Sequence, residues 1–130
     1  PVFGRVLKVL GLPRIDRKNA SANFEKINDS ISKVIKNKNS IMIFPEGKRS
    51  NQKDLLPFKK GAAYISKDFH LPIVPVVTHN AHNLMRKGEV WLRSGEITIE
   101  ILNPIDNTEE LSVEELTTKI YNLIDEKLKF

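Results

Sequence analysis

Apolar positions along the chain fall into segments of different period. Residues 2–10 set Val2, Phe3, Val6, Leu7, Val9 and Leu10 around Arg5 and Lys8, the pattern of a short amphipathic helix. Such a helix suits burial against a core, and its stripe also suits a membrane surface. Gly11-Leu12-Pro13 ends it, and Arg14-Ile15-Asp16-Arg17 reads as extended. From Ala20 to Lys38, Phe24, Ile27, Ile31, Val34 and Ile35 recur at helical spacing and predict a second helix. Ser40-Ile41-Met42-Ile43-Phe44 is a continuous apolar run, as in a strand buried on both faces. Pro45 and Gly47 stop it, and residues 48–58 read as a polar loop.

Lys60 to Phe69 predicts a helix with Ala62, Ala63, Ile65 and Phe69 on its apolar side. Leu71 to Val77 predicts a strand in which Pro72 and Pro75 cannot donate to a ladder, so the sheet there must be irregular or one-sided. Residues 90–93 and 97–101 read as two strands joined by Ser94-Gly95, the second alternating cleanly through Ile97, Ile99 and Ile101. Ser112 and Glu115 form a capping box, with Leu111 and Leu116 placed to staple across it. The helix that follows carries Val113, Leu116, Ile120, Leu123 and Ile124 as its apolar stripe. Strand–helix alternation predicts an α/β layered fold, with a central mixed, mostly buried sheet flanked by helices.

The chain of 130 residues has the size of one domain, and residues 1–130 read as a single domain. With 40% apolar and 28% charged residues, neither disorder nor a coiled coil describes it. No apolar run approaches the roughly 20 residues that span a bilayer. Cysteine is absent, which excludes thiolate catalysis and Cys-based zinc sites. The sequence opens on Pro1, and Pro1-Val2-Phe3-Gly4 lacks the order of a signal peptide. The expectation is a fragment whose natural chain continues upstream.

Charge is uneven. Residues 1–60 carry 14 Lys and Arg against 5 Asp and Glu, whereas residues 104–130 carry 3 against 7. A basic front half suits a polyanionic partner, or is a solvated lysine-rich surface. The aromatics of that half, Phe3, Phe24, Phe44 and Phe58, form no stacking pattern of a nucleic-acid module, so no nucleic-acid partner is expected.

Phe44-Pro45-Glu46-Gly47-Lys48-Arg49-Ser50 is the segment that carries chemistry. It follows an apolar run directly, as ligand-binding loops follow strands in α/β sheets. Gly47 permits a tight turn, Lys48 and Arg49 supply cationic donors for phosphate, and Glu46 accepts from a hydroxyl or pins an Arg. A P-loop is excluded, because Met42 stands at the first glycine position and Arg49 at the Ser/Thr position. Further basic clusters are Arg14, Arg17 and Lys18, and Lys59-Lys60 ahead of a helix. His79 and His82 stand three apart, as paired metal ligands sometimes do, but no third ligand of matched spacing follows, and no metal or other cofactor is expected. No histidine has an Asp five positions on: Pro75, Leu84 and Lys87 occupy those places after His70, His79 and His82.

Together these segments resemble the 1-acylglycerol-3-phosphate acyltransferase (PlsC-like glycerolipid acyltransferase) family over roughly residues 1–106. Ile15-Asp16-Arg17 resembles its second block, Phe44 to Ser50 its third (F-P-E-G-T-R-S), Leu56-Pro57-Phe58-Lys59-Lys60-Gly61-Ala62 the stretch after that, and Leu71 to Val76 its fourth. The resemblance implies phospholipid biosynthesis by transfer of a fatty acyl group from acyl-CoA or acyl carrier protein to a glycerol-phosphate lipid acceptor. It implies that Arg17, Glu46 and Arg49 bind the glycerol phosphate of the acceptor, that Gly47 shapes the turn with Lys48 and Ser50 beside it, and that Pro75 lies on the acyl-donor side. Lys48 departs from the usual Thr. The family's H-x-x-x-x-D block, which holds the general base, is absent here, so no catalytic residue is assigned and the 130 residues are expected to be inactive alone. The substrate class implies association with a membrane surface at its cytoplasmic face. The alternative is a non-catalytic anionic lipid- or phosphate-binding module.

Overall fold

The computed structural model describes residues 20–48, 54–84, 88, 89, 91 and 93–129, and for residues 20–26 only the backbone. The helix expected at residues 2–10 and the extended segment at 14–17 lie outside them. The chain divides into two compact units, Pro1–Met42 and Ile43–Phe130.

In the first unit, α1 spans Ala20–Lys36 and buries Ile31, with Ile27, Val34 and Ile35 half-buried on the same side. It ends two residues earlier than the apolar spacing predicts. Lys38 takes a left-handed φ of 56°, and the amides of Lys38 and Asn39 close back on the carbonyls of Ile35 and Val34 at 2.9 and 3.1 Å. This is a Schellman end with lysine where glycine is usual.

The second unit contains α2 (Gly61–Asp68), β1 (Val76–His79), α3 (Ala81–Leu84), β2 (Thr98–Ile101) and α4 (Val113–Leu128). The α2 helix ends with the same device as α1, His70 being left-handed and Leu71 N–H donating to Ser66 at 2.9 Å. The α4 helix packs on α2 and β1. Ala63, Val77, Ile105, Leu116, Ile120 and Ile124 form the core, and Leu55, Phe58, Ile73, Leu102, Leu111, Val113 and Leu123 close around it. The Phe58 and Tyr121 rings meet edge to face with centroids 5.1 Å apart. The capping box forms: Ser112 Oγ accepts from Glu115 N–H at 3.2 Å, and Glu115 Oε2 accepts from Ser112 N–H at 2.8 Å. Lys67 adds a tether from α2, donating to the carbonyls of Thr108 (3.2 Å), Glu109 (3.0 Å) and Leu111 ahead of α4.

The fold is mixed α/β, but the sheet differs from expectation. Among the described residues it has two strands, β1 and β2, antiparallel with Val76 opposite Ile101 and Thr78 opposite Ile99. One face carries Val77 into the core. The other leaves Val76, Ile99 and Ile101 exposed, so no buried central sheet forms among these residues. The strand expected over 71–77 is displaced toward the C-terminus: β1 shares only Val76 and Val77 with it and runs on to His79. Only an isolated bridge, Ile73 to Ile105, continues it, because Pro72 and Pro75 have no amide to donate. Leu102 N–H instead donates to the Pro75 carbonyl at 2.9 Å.

The expected strand at 40–44 does not form. Met42 is 79% and Phe44 78% exposed, since a strand needs ladder partners as well as apolar residues and none is present among the described residues. Nor, among the described residues, do Trp91 or Arg93 of the expected 90–93/97–101 hairpin pair with β2. Arg93 N–H is taken by the Leu84 carbonyl at 2.9 Å, and β2 pairs with β1 instead. Trp91 and Arg93 lie outside any strand, while Val90 and Leu92 lie outside the described residues. Gly95 serves close packing, since a methyl there would stand 2.8 Å from Leu84 Cδ2.

Leu116 is completely buried, so Leu116→Ala is expected to cost about 2–5 kcal/mol in urea unfolding. The Ser112 amide holds the Glu115 carboxyl below its ordinary range. A lowered folded pKa stabilises above the unfolded value, and that contribution is lost as pH falls through the folded one. Glu115→Gln keeps a cap acceptor, so the Tm advantage of the native protein over this variant should be present at neutral pH and vanish on acidification below the carboxylate range.

Candidate functional site

Phe44–Gly47 is a tight turn closed by Gly47 N–H donating to the Phe44 carbonyl at 3.0 Å. Gly47 takes φ +68°, a conformation that L side chains rarely adopt. Two further bonds fasten this turn to the following stretch. Glu46 Oε2 accepts from Leu56 N–H at 3.0 Å, and the Pro45 carbonyl accepts from Lys59 N–H at 2.8 Å. The turn is thereby bonded to the far end of the loop expected at 48–58, of which residues 49–53 lie outside the described residues. Leu55 and Phe58 carry its far end into the core around α4.

The Glu46 carboxylate therefore has a partner that the sequence did not reveal. One of its oxygens holds a backbone amide, so the residue shapes the turn. Lys48 is exposed on the turn, and no ion pair holds it among the described residues. Arg17, Arg49 and Ser50 lie outside the described residues; Arg49 follows Gly47 by two positions. Pro75 is buried at the start of β1, where its carbonyl extends the pairing with the β2 side. The structure thus gathers Glu46, Gly47 and Lys48 on one turn and sets Pro75 in a different element.

The two lysines before α2 separate. Lys60 pairs with Glu114 at the start of α4; that hydrogen bond raises the lysine pKa and lowers that of the glutamate. Lys59 instead lies against the turn: a methyl on Gly47 would stand 3.0 Å from Lys59 Cε and 3.3 Å from its Nζ. The signal available in the sequence was a glycine in a charged turn, which invites close approach by another chain segment.

The histidines are dispersed. His79 lies in β1 and His82 in α3, with left-handed Asn80 between them, so they share no helical face. His79 Nε2 faces Glu100 Oε2 at 3.4 Å, and Lys127 reaches the other oxygen at 2.9 Å. The Lys127 hydrogen bond is the main cause holding the Glu100 carboxyl below its ordinary value. His70 Nδ1 contacts Glu109. Among the described residues no three His, Asp or Glu side chains gather as metal ligands would, and no helix is long and apolar enough to cross a membrane.

The family model of the Acyltransferase family matches residues 1–79, more than half of the chain and including the whole turn. The chain belongs to this family. It is 39% identical over 125 residues to a 1-acyl-sn-glycerol-3-phosphate acyltransferase of Cocos nucifera, covering 95% of this chain and 41% of that protein. It is 33% identical over 130 residues to the enzyme of the same name from Salmonella typhimurium, covering 98% and 52%. The crystal structure of the 1-acyl-sn-glycerophosphate (LPA) acyltransferase PlsC from Thermotoga maritima superposes with a TM-score of 0.68 at 25% identity, over 77% of this chain and 43% of that one. The chain thus spans about half the length, or less, of these relatives.

Replacing Glu46 separates shape from charge. In Glu46→Ala the Leu56 amide should exchange at least about tenfold faster, whereas Glu46→Gln, which keeps an oxygen acceptor, should stay close to native. Hydrogen exchange read at Leu56 checks this.

Proposed function

We propose that this chain is the acceptor-binding part of a 1-acyl-sn-glycerol-3-phosphate acyltransferase in phospholipid biosynthesis. The observation that carries the reading is the Glu46–Gly47 turn. Two bonds fix it to the 55–60 stretch, and it presents Lys48 immediately before Arg49 within a chain of this family. A turn fastened at Pro45 and Glu46 presents the lysine that follows at less further entropic cost when an anion arrives. Arg17 and Arg49 are assigned to the acceptor phosphate, Glu46 and Gly47 to the shape of the turn, Lys48 and Ser50 to its rim, and Pro75 to the acyl-donor side.

In the reaction a histidine of an H-x-x-x-x-D block, contributed from beyond these 130 residues, accepts the proton of a glycerol hydroxyl. The oxygen forms a bond to the thioester carbonyl carbon, the tetrahedral adduct collapses, and the thiolate leaves and takes up a proton. The donor is acyl-CoA or acyl carrier protein. The acceptor is a glycerol-phosphate lipid reached at the cytoplasmic face of a membrane. In the whole enzyme the exposed face of Val76, Ile99 and Ile101 is covered by further structure, giving one domain with the layered sheet expected from the strand–helix alternation. Apolar side chains directly opposite one another on an open face favour such a cover.

Arg49→Ala in the full-length enzyme should raise the KM for lysophosphatidate by about tenfold or more. An unchanged KM in a steady-state acyl-transfer assay removes Arg49 from the site. The 130 residues alone should give no turnover with acyl-CoA or acyl carrier protein and lysophosphatidate; turnover would show that the base lies within them. Phosphate-lipid binding by the full-length protein, with no transfer from either donor, would favour a binding module instead.

A further inference from the structure

We propose that Lys59 is a positioning cation for the acceptor phosphate, its ammonium held over the glycine turn. The proposal rests on the acceptor-site reading above and adds to it a residue from a separate stretch of chain.

Three observations carry it. Gly47 leaves the space of its missing side chain to Lys59, whose Cε, Cδ and Nζ stand 3.0, 3.2 and 3.3 Å from where a methyl would be. The stem and the ammonium both lie on the turn. The Lys59 backbone is fixed there as well, since its amide donates to the Pro45 carbonyl at 2.8 Å. Finally, the charge is uncommitted. Lys60 is neutralised by Glu114 and Lys67 is spent on three backbone carbonyls, but no carboxylate pairs with Lys59 among the described residues.

The arrangement therefore brings a compact, rotatable ammonium to the turn that carries Lys48 and precedes Arg49. A lysine serves a phosphate as a point charge, while an arginine contributes fixed, bidentate geometry. A dianionic head group at this turn gains the mobile point charge of Lys59. The competing role is cover alone, in which the four-carbon stem fills the space over Gly47 and the charge is solvated.

Methionine keeps an unbranched stem and removes the charge, so Lys59→Met separates the two roles. Binding of glycerol 3-phosphate, inorganic phosphate and glycerol to the full-length protein is measured by calorimetry for the native protein, Lys59→Met, Lys59→Arg and Lys60→Met. The Kd for glycerol 3-phosphate should rise about tenfold in Lys59→Met, recover to within about threefold in Lys59→Arg, and stay near native in Lys60→Met. Parallel weakening of inorganic phosphate assigns the contact to the phosphate itself; weakening of glycerol 3-phosphate alone assigns it to the ester head group. Glycerol binding should not change. An unaltered Kd in folded Lys59→Met overturns the proposal, as does a native protein that binds neither phosphate compound. Lys59→Gln supplies the same comparison if the methionine variant does not fold. Acyl transfer to lysophosphatidate is assayed alongside. Absent transfer with Lys59-dependent phosphate binding sinks the acyltransferase reading and leaves this one standing; intact transfer with an unaltered KM in Lys59→Met does the reverse.

Discussion

Burial of one stripe of α4 governs the second unit. Leu116, Ile120 and Ile124 meet Ala63 of α2 and Val77 of β1, and everything that shapes the candidate site leans on that seam. Leu55 and Phe58 join the same cluster, so the stretch that carries Lys59 is anchored through apolar contacts before any polar contact is made. Hydrophobic burial is undirected. Direction comes from the polar fastenings around it: the capping box that starts α4, the Lys67 ammonium gathering three carbonyls before that helix, and the Lys60–Glu114 pair joining the two helix starts.

The turn at Glu46–Gly47 follows from this anchoring. A turn between a run of apolar residues and a charged loop has little of its own to hold it, because its backbone groups find partners equally well in water. Here they find them in the stretch that the core already fixes. The Glu46 carboxylate reaches the Leu56 amide, and the Pro45 carbonyl reaches the Lys59 amide. Glu46 and Leu56 stand ten positions apart along the chain, yet the two are bonded. A carboxylate in a cationic turn thus has a structural task.

The small sheet shows the same dependence on context. On one face β1 delivers Val77 to the core; on the other, Val76, Ile99 and Ile101 stand open. Alternation in β2 reports correctly that its two faces differ, but carries no statement of what each face meets. The exposed Met42 and Phe44 make the same point, since an apolar run specifies a demand for burial without naming the element that satisfies it.

Helices α1, α2 and α4 were legible in the sequence because their causes are local: apolar spacing and the Ser112–Glu115 box. The family too was legible, in the order of Ile15-Asp16-Arg17, the Phe44–Ser50 segment and the proline-bearing stretch to Val76. Strand pairing was not, because a ladder joins residues far apart, and nothing local in residues 97–101 names β1 as their partner. Nor was the division of labour among like charges. Lys59 and Lys60 are adjacent and chemically the same. Only the placement of α4 gives one of them a carboxylate, and only the left-handed backbone of Gly47 gives the other a place to lie.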